Sequence, residues 1–475
     1  MLPESIRGAA RRFGDRAALV DADGEAVTYA ALDRWSDELA VGLGGEVGEG
    51  SVVALDLPSD PTYVAVYLAV AKLGAVTAGI NPRLADDERA RVLAQLAPDV
   101  VIDPSFPLRR VGGAAPPTLA PDPERVVAVV FTSGTTGEPK GAVFTERQLE
   151  AIATIDAGGV DVWGGGQPML ASTQFCHIGF MTKLPWYLRR GSTLVLQRRW
   201  RAREALRLVA QHRMPSIGGV AAQIALMLRE PDFDSFDMSS VKTIVIGGGP
   251  SPPEIVRDAR ARFGAAYSIR YSSTESGGVG TATAFDAPDD EALYTVGRPR
   301  PGVEVRVDDA NGELLLRSPA VMRGYWRDEA RTRAALDGDG WLHTGDLATI
   351  DDRGCVHIVG RTTDMYIRGG YNVHPQEVEA VLVEHPGIAE VAVVPGTDAV
   401  LGEVGIACVV PRAGALPPST AELREFAAPR LASYKLPDDV VVLDALPLTT
   451  MDKLDRRGLA ATVARQRGSS RSRFQ

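Results

Sequence analysis

Cysteine is scarce in this 475-residue chain: Cys176, Cys355 and Cys408 are the three it has. Odd in number, scattered and without metal-ligand spacing, they argue against a disulfide scaffold and a cysteine metal centre, and they suit a reducing, cytoplasmic setting. Uninterrupted apolar runs are missing too. The stretch MLPESIRGAARRFGDRAALV at the start sets Glu4 and Asp15 among its arginines and has no apolar signal core, so an ordinary helix is expected there rather than a targeting segment. The longest apolar stretch, 63–80, is broken by Lys72, Gly74 and Gly79, which reads as a buried helix followed by a strand and not as a membrane span. Positive charge is not in excess either. A net charge of −10 with a pI near 5.3 argues against a nucleic-acid partner. No internal repeat is visible.

What is present is material for more than one core. At 45% apolar and 24% charged residues, 475 residues lead to an expectation of two or three domains. Apolar, β-rich runs at 51–57, 100–103, 126–131, 192–196 and 241–246 alternate with helix-like stretches such as 61–73 and 201–212, the pattern of βα units and largely parallel sheets. Residues 111–124, rich in Pro, Gly and Ala, read as an exposed connector. An Asp-Asp-Arg-Gly turn near Asp351 separates two strand-like runs. A short α+β pattern follows, in which Pro375 opens a helix through Val383 that His385-Pro386-Gly387 ends. The fold class expected is α/β: a large layered N-terminal domain over 1–360 with βα-type sheets, and a small mobile α+β domain over 361–475. Residues 465–475, arginine- and serine-rich without apolar periodicity, read as a frayed tail.

The most informative segment is TSGTTGEPKG, Thr132 to Gly141, directly behind the apolar run 126–131. Gly134 and Gly137 permit backbone conformations that let successive amides converge on an anion, Ser133, Thr135 and Thr136 add hydroxyl donors, and Lys140 adds a positive charge. Pro139 before the lysine and Gly141 after it rule out a Walker P-loop, so this is a phosphate loop of another kind.

This loop resembles the phosphate-binding signature of the adenylate-forming superfamily, which includes acyl-CoA synthetases, peptide-synthetase adenylation domains and beetle luciferases. Further motifs of that family follow in its order: FCHIGF at Phe175, YSSTE at Tyr271, GELLLRSPAVMRGYW at Gly312, HTGD at His343, GRTTDMYIRGGYNVHPQEVE at Gly360 and PLTTMDK at Pro447. The resemblance is strongest to acyl-CoA synthetases, and it covers nearly the whole chain.

The resemblance implies a chemistry and a set of residues. A carboxylate is a poor electrophile; attack on the α-phosphate of ATP converts it to an acyl-adenylate with release of pyrophosphate, and a metal, hydroxyl donors and a lysine are the natural set to stabilise that step. By resemblance Thr132, Ser133, Gly134, Thr135, Thr136, Gly137 and Lys140 hold the nucleotide phosphates, Glu275 holds Mg²⁺, and Thr274 bonds the α-phosphate. Tyr271 stacks on adenine beside Ser272, and Gly248 and Gly249 let backbone approach the base. Asp346 takes the ribose hydroxyls with Arg361 as its companion, and Lys453 is the mobile lysine that reaches the carboxylate and α-phosphate. His177 lines the acyl pocket. Gly369 and Gly370 flank a thiol channel, and Lys435 faces the phosphates of coenzyme A.

Amino-acid-activating relatives place an aspartate after the histidine to bind the substrate ammonium; here it is Ile178, which disfavours an α-amino acid. A carboxylic acid with an uncharged fatty, aryl or branched tail is expected, with ATP, Mg²⁺ and coenzyme A as the other participants. Alternatives are transfer to an acyl carrier protein's phosphopantetheine or to an amine, and, from other classes, a nucleotide- and acyl-binding member without turnover or a luciferase-like oxygenase. Two departures from the family pattern bear on domain rotation: Asp452 stands where Gly commonly precedes the lysine, and Thr363 stands at the position, often Asp or Lys, about which the C-terminal domain pivots. The oligomeric state is not legible.

Overall fold

The computed structural model describes residues 1–133, 139–249, 251–362, 364–369, 371–398, 400–449 and 454–471. The chain divides into two compact units. The first comprises Met1–Arg306, Leu315–Thr344 and Ile350–His357; the second comprises Val307–Leu314, Gly345–Thr349 and Ile358–Gln475.

The first unit is built on three sheets with helices against them. One has the strand order Gly324–Tyr325, Pro139–Thr145, Val126–Ser133, Val76–Gly79, Val52–Leu55, Val100–Ile102, parallel through its last four members and antiparallel at the end that carries the phosphate loop. A second runs Ser216–Gly219, Thr243–Gly247, Ala266–Tyr271, Thr281–Ala282, Arg298–Pro299, parallel over its first three strands. The third joins Ala26–Thr28, Ala17–Val20, Thr193–Val195 and Pro168–Leu170.

Local chemistry sets these elements. Asp60 accepts the Tyr63 amide at 3.1 Å and Pro61 opens the helix Pro61–Lys72, which is buried over nearly its whole length. Its one charge, Lys72, is buried and held by Asp33 at 2.6 Å and Asp37 at 2.7 Å, so the cation is paired where it would otherwise be costly. The strand Val76–Gly79 follows, as the broken apolar stretch implies. Among the described residues no helix is long and apolar enough to cross a membrane. All three cysteines are buried, and burial pushes the Cys176 thiol up to about 12.

In the second unit the strands Tyr371–Val373, Tyr366–Arg368, Gly402–Pro411 and Ile388–Asp398 lie in that order, with Asp439–Val442 pairing parallel to Gly402–Pro411. The helix Pro375–Leu382 starts at the proline read from sequence. The end of the chain corrects an expectation. Residues from 465 onward read as a frayed tail, yet one helix spans Arg456–Arg471. Leu459 and Val463 anchor its first turns in a core with Ala392, Val394, Ile406 and Cys408, and Arg and Gln, good helix formers, propagate it from that anchor.

Candidate active site

Within the first unit, the residues singled out by sequence fall on a hairpin, a turn and a short helix. The apolar run before the phosphate loop extends two residues beyond the expected 131, as the strand Val126–Ser133, because Thr132 pairs with Lys140 and Ser133 with Pro139 across the antiparallel ladder to Pro139–Thr145. Lys140 is therefore a strand residue at the exit of the loop. Gly134, Thr135, Thr136 and Gly137 lie outside the described residues. Gly141 keeps that strand close to its neighbour: a Cβ there would stand 2.6 Å from Val129 Cγ1.

Tyr271 ends the strand Ala266–Tyr271, and Ser272 leads into a tight turn that carries Thr274 and Glu275. The turn is closed from inside. Ser276 Oγ accepts the Ser273 amide at 3.0 Å, Ser273 Oγ accepts the Ser276 amide at 3.1 Å, and the Gly277 amide donates to Thr274 O at 3.0 Å. Gly277 has φ +74°, and a Cβ on it would stand 2.4 Å from Ala320 O, so glycine is required by both conformation and space.

Sequence reasoning missed the group that fixes Glu275. Tyr325 Oη donates to Glu275 Oε1 at 2.8 Å, the Met322 amide donates to Glu275 O at 2.8 Å, and Lys140 Nζ lies 5.8 Å over the Tyr325 ring. Lys140 and Glu275, two residues chosen from separate motifs, thus meet at one tyrosine, the first over its ring and the second on its hydroxyl. Burial, reinforced by the Glu275 carboxylate, pushes the Tyr325 phenol well above its ordinary range, which keeps it a donor. Tyr325 lies within the GYW run visible in sequence, but its partner is 50 residues away and no local spacing reveals it. Next to it, Trp326 donates its amide to Gly141 O at 2.7 Å and its indole Nε1 to Leu96 O at 3.1 Å, tying this strand to the phosphate hairpin.

The fit to Mg²⁺ rests on Glu275. Among the described residues its Oε2 has no hydrogen-bond partner, and no group of three His, Cys, Asp or Glu side chains is placed to form a metal cage. One free hard carboxylate oxygen suits an ion that keeps its waters and is otherwise held by substrate phosphates.

His177 precedes the short helix Ile178–Met181, accepting the Phe180 and Met181 amides on its carbonyl at 3.0 Å each. The residues around it are pinned: Phe175 and Phe180 stack at 3.8 Å, Tyr63 meets Phe175 edge-on at 5.6 Å, and Gly79 admits Cys176 so closely that a Cβ would stand 2.6 Å from its Cα. Gly248, at φ +81° with a Cβ position 3.5 Å from Val220 Cγ1, and Gly249, where a Cβ would meet nothing within 4 Å, follow Thr243–Gly247.

In the second unit the two ribose candidates are brought together. Arg361 Nε donates to Asp346 Oδ1 at 2.6 Å, with Asp346 buried and the Arg361 side chain 45% exposed. Gly369, at φ +55°, turns the hairpin between Tyr366–Arg368 and Tyr371–Val373, and its amide donates to Leu401 O at 2.8 Å. Tyr371 stacks on Tyr434 at 4.5 Å, and Lys435 beside it is paired with Glu377. Gly370, Lys453, Thr363 and Asp452 lie outside the described residues.

Comparison with known proteins places this architecture. The model of the AMP-binding enzyme family matches residues 6–114 and 103–326, and that of the AMP-binding enzyme C-terminal domain matches 377–453. The chain is 32% identical to an indoleacetate–CoA ligase of Aromatoleum aromaticum, over 93% of this chain and 94% of that protein. Among solved structures it resembles the amide bond synthetase McbA of Marinactinospora thermotolerans, with a TM-score of 0.86, 28% identity and coverage of 98% and 100%. It also resembles the o-succinylbenzoate CoA synthetase MenE of Bacillus subtilis in complex with its acyl-adenylate intermediate, with a TM-score of 0.82, 28% identity and coverage of 96% and 98%. By the extent of these matches and the order of its motifs, the chain belongs to the AMP-binding enzyme family.

Proposed function

We propose that this enzyme activates a carboxylic acid with ATP, forming an acyl-adenylate and pyrophosphate, and then transfers the acyl group to the thiol of coenzyme A with release of AMP. The observation that carries the reading is the Lys140–Tyr325–Glu275 array, which sets a cation and a carboxylate with a free oxygen at the exit of the phosphate loop. The relative named a CoA ligase and the neighbour solved with an acyl-adenylate support the same chemistry.

In this reading the loop from Thr132 to Lys140 holds the polyphosphate, Thr274 donates to the α-phosphate and Glu275 holds Mg²⁺, which when bound screens the phosphate charge. An oxygen of the acid attacks the α-phosphorus, the bond to the β-phosphate oxygen breaks, and Lys453 stabilises the charge that builds up. Tyr271 and the glycines at 248 and 249 take the adenine, Asp346 and Arg361 the ribose, and His177 orients the carboxylate. In the second half-reaction the sulfur of coenzyme A attacks the acyl carbon, the bond to the phosphate oxygen breaks, AMP leaves, and the thiol proton passes to solvent. Residues 361–475 act as the mobile domain that alternates Lys453 with the Gly369–Gly370 segment, and Lys435, freed from Glu377, meets a phosphate of coenzyme A.

The acid has a fatty, aryl or branched skeleton and no α-ammonium, since Ile178 offers no counter-ion for one. A second reading, delivery of the adenylate to an amine, is favoured by the likeness to an amide bond synthetase. Exchange of labelled pyrophosphate into ATP across a panel of acids tests the first half-reaction: some acid should support it and α-amino acids should perform poorly, and silence across the panel overturns the reading. Product mass after adding coenzyme A, a phosphopantetheinylated carrier or simple amines then identifies the acceptor.

A further inference from the structure

The GELLLR run contributes a glutamate that no step of the proposed reaction uses. Glu313 opens the strand Glu313–Arg317 and is buried, 8% exposed. A carboxylate withdrawn from water to that extent is costly unless donors meet it. A donor that meets this one is a main-chain amide: Gly345 N–H donates to Glu313 Oε1 at 2.8 Å. Gly345 lies on the neighbouring strand, Leu342–Ile350, and directly precedes Asp346.

The glycine is held at both its amide and its carbonyl. Gly345 O accepts from the Thr362 amide at 2.9 Å and from Thr362 Oγ1 at 3.1 Å. Its φ of +72° lies in the left-handed region that glycine adopts freely. A residue with that freedom, left unheld, would pass its own motion to the side chain that follows. The Asp346 amide shares a rigid peptide plane with the Gly345 carbonyl, so these three hydrogen bonds fix the plane from which Asp346 departs. From there the Asp346 carboxylate, in a residue 5% exposed, meets Arg361 Nε at 2.6 Å. Arg361 and Thr362 are consecutive, so one short segment holds both the backbone before Asp346 and the carboxylate itself.

We infer that Glu313 is a positioning residue for the ribose: through the main chain of Gly345 it sets the Asp346 carboxylate where the two nucleotide hydroxyls meet it. Binding of two neighbouring hydroxyls by one carboxylate tolerates little displacement, on the order of 0.5 Å. The inference rests on the assignment of Asp346 to the ribose in the reading above, and it is independent of which acid or acceptor the enzyme uses.

The test is equilibrium binding of ATP and of 2′-deoxy-ATP, each with Mg²⁺, to the full-length protein by calorimetry. The parent should bind ATP about tenfold or more tighter, because a site built to hydrogen-bond a hydroxyl rejects the analogue that lacks it. Glu313→Ala should lower that ratio of Kd values by about fivefold or more, chiefly by weakening ATP. Glu313→Gln, which keeps an acceptor oxygen for the Gly345 amide, should lower it by only about twofold, and so should Thr362→Val, which removes one donor to the Gly345 carbonyl. A merely structural glutamate would change the fraction of competent protein and leave the ratio alone. A parental ratio in Glu313→Ala, with the ratio lost in Asp346→Ala, overturns the inference and leaves the ribose assignment standing. No discrimination by the parent overturns the ribose assignment and this inference with it. Failure of pyrophosphate exchange with every acid overturns the ligase reading alone, since the binding ratios need no acid. If Glu313→Ala does not fold, parental ratios in both Glu313→Gln and Thr362→Val overturn the inference in its place.

Discussion

At the scale of single residues, the hydroxyl of Tyr325 is the contact on which the proposed metal site depends. It fixes one oxygen of Glu275 and leaves the other free, while its ring lies under Lys140. Tyr325→Phe keeps the ring and removes the donor. A hydrogen bond to a charged group is worth about 1.5–3 kcal/mol, so adenylation at limiting Mg²⁺ should slow by roughly 10- to 100-fold, and half-saturation by Mg²⁺ should move upward. Glu275→Gln should shift the same titration, and the double variant should fall short of the sum because both act on one carboxylate. A Mg²⁺ titration of Tyr325→Phe that overlays the parent would reduce Tyr325 to packing. Residues inside a motif were legible in the sequence because their chemistry is carried by short-range order. The partner of Glu275 was not, because a contact made by folding across 50 positions, that of Tyr325 with Glu275, leaves no spacing to read.

At the scale of elements, the turn from Ser273 to Gly278 sets the position of both Thr274 and Glu275. Gly277→Ala puts a side chain at φ +74° against Ala320 O. The conformation alone costs on the order of 1–3 kcal/mol and the contact adds to it, so the midpoint of chemical denaturation should fall and adenylation with it. Gly249→Ala is the contrast: a Cβ there meets nothing within 4 Å, and stability should stay within about 0.5 kcal/mol of the parent. Equal destabilisation by the two would show that the turn is not under steric demand. Helices and strands with strong apolar patterning, such as Pro61–Lys72 and Thr243–Gly247, were visible in sequence because burial dictates both pattern and element. The helix Arg456–Arg471 was not, because two apolar residues, Leu459 and Val463, anchor it, and their burial depends on strands far back in the chain.

At the scale of the whole molecule, the proposal is that one chain runs two reactions by presenting different parts of its C-terminal region. Lys453 belongs to the first pose alone. Lys453→Ala should therefore slow adenylation by on the order of 10²–10³, while thioester formation from supplied acyl-adenylate stays near the parental rate, as single-turnover measurements of each half-reaction would show. Equal loss in both halves would mean that the lysine is structural or that the poses do not alternate. The strand that carries Tyr325 holds one more consequence. The backbone amide of Trp326 donates to the carbonyl of Gly141 on the strand leaving the phosphate loop, and its indole donates to Leu96 O, so the residue that carries this indole is tied through its main chain to the place where a nucleotide arrives. Indole emission follows the polarity and rigidity of its surroundings. Nucleotide binding to the unlabelled protein thus has an optical signature of its own, separable from the other five of the chain's six tryptophans by its loss in Trp326→Phe.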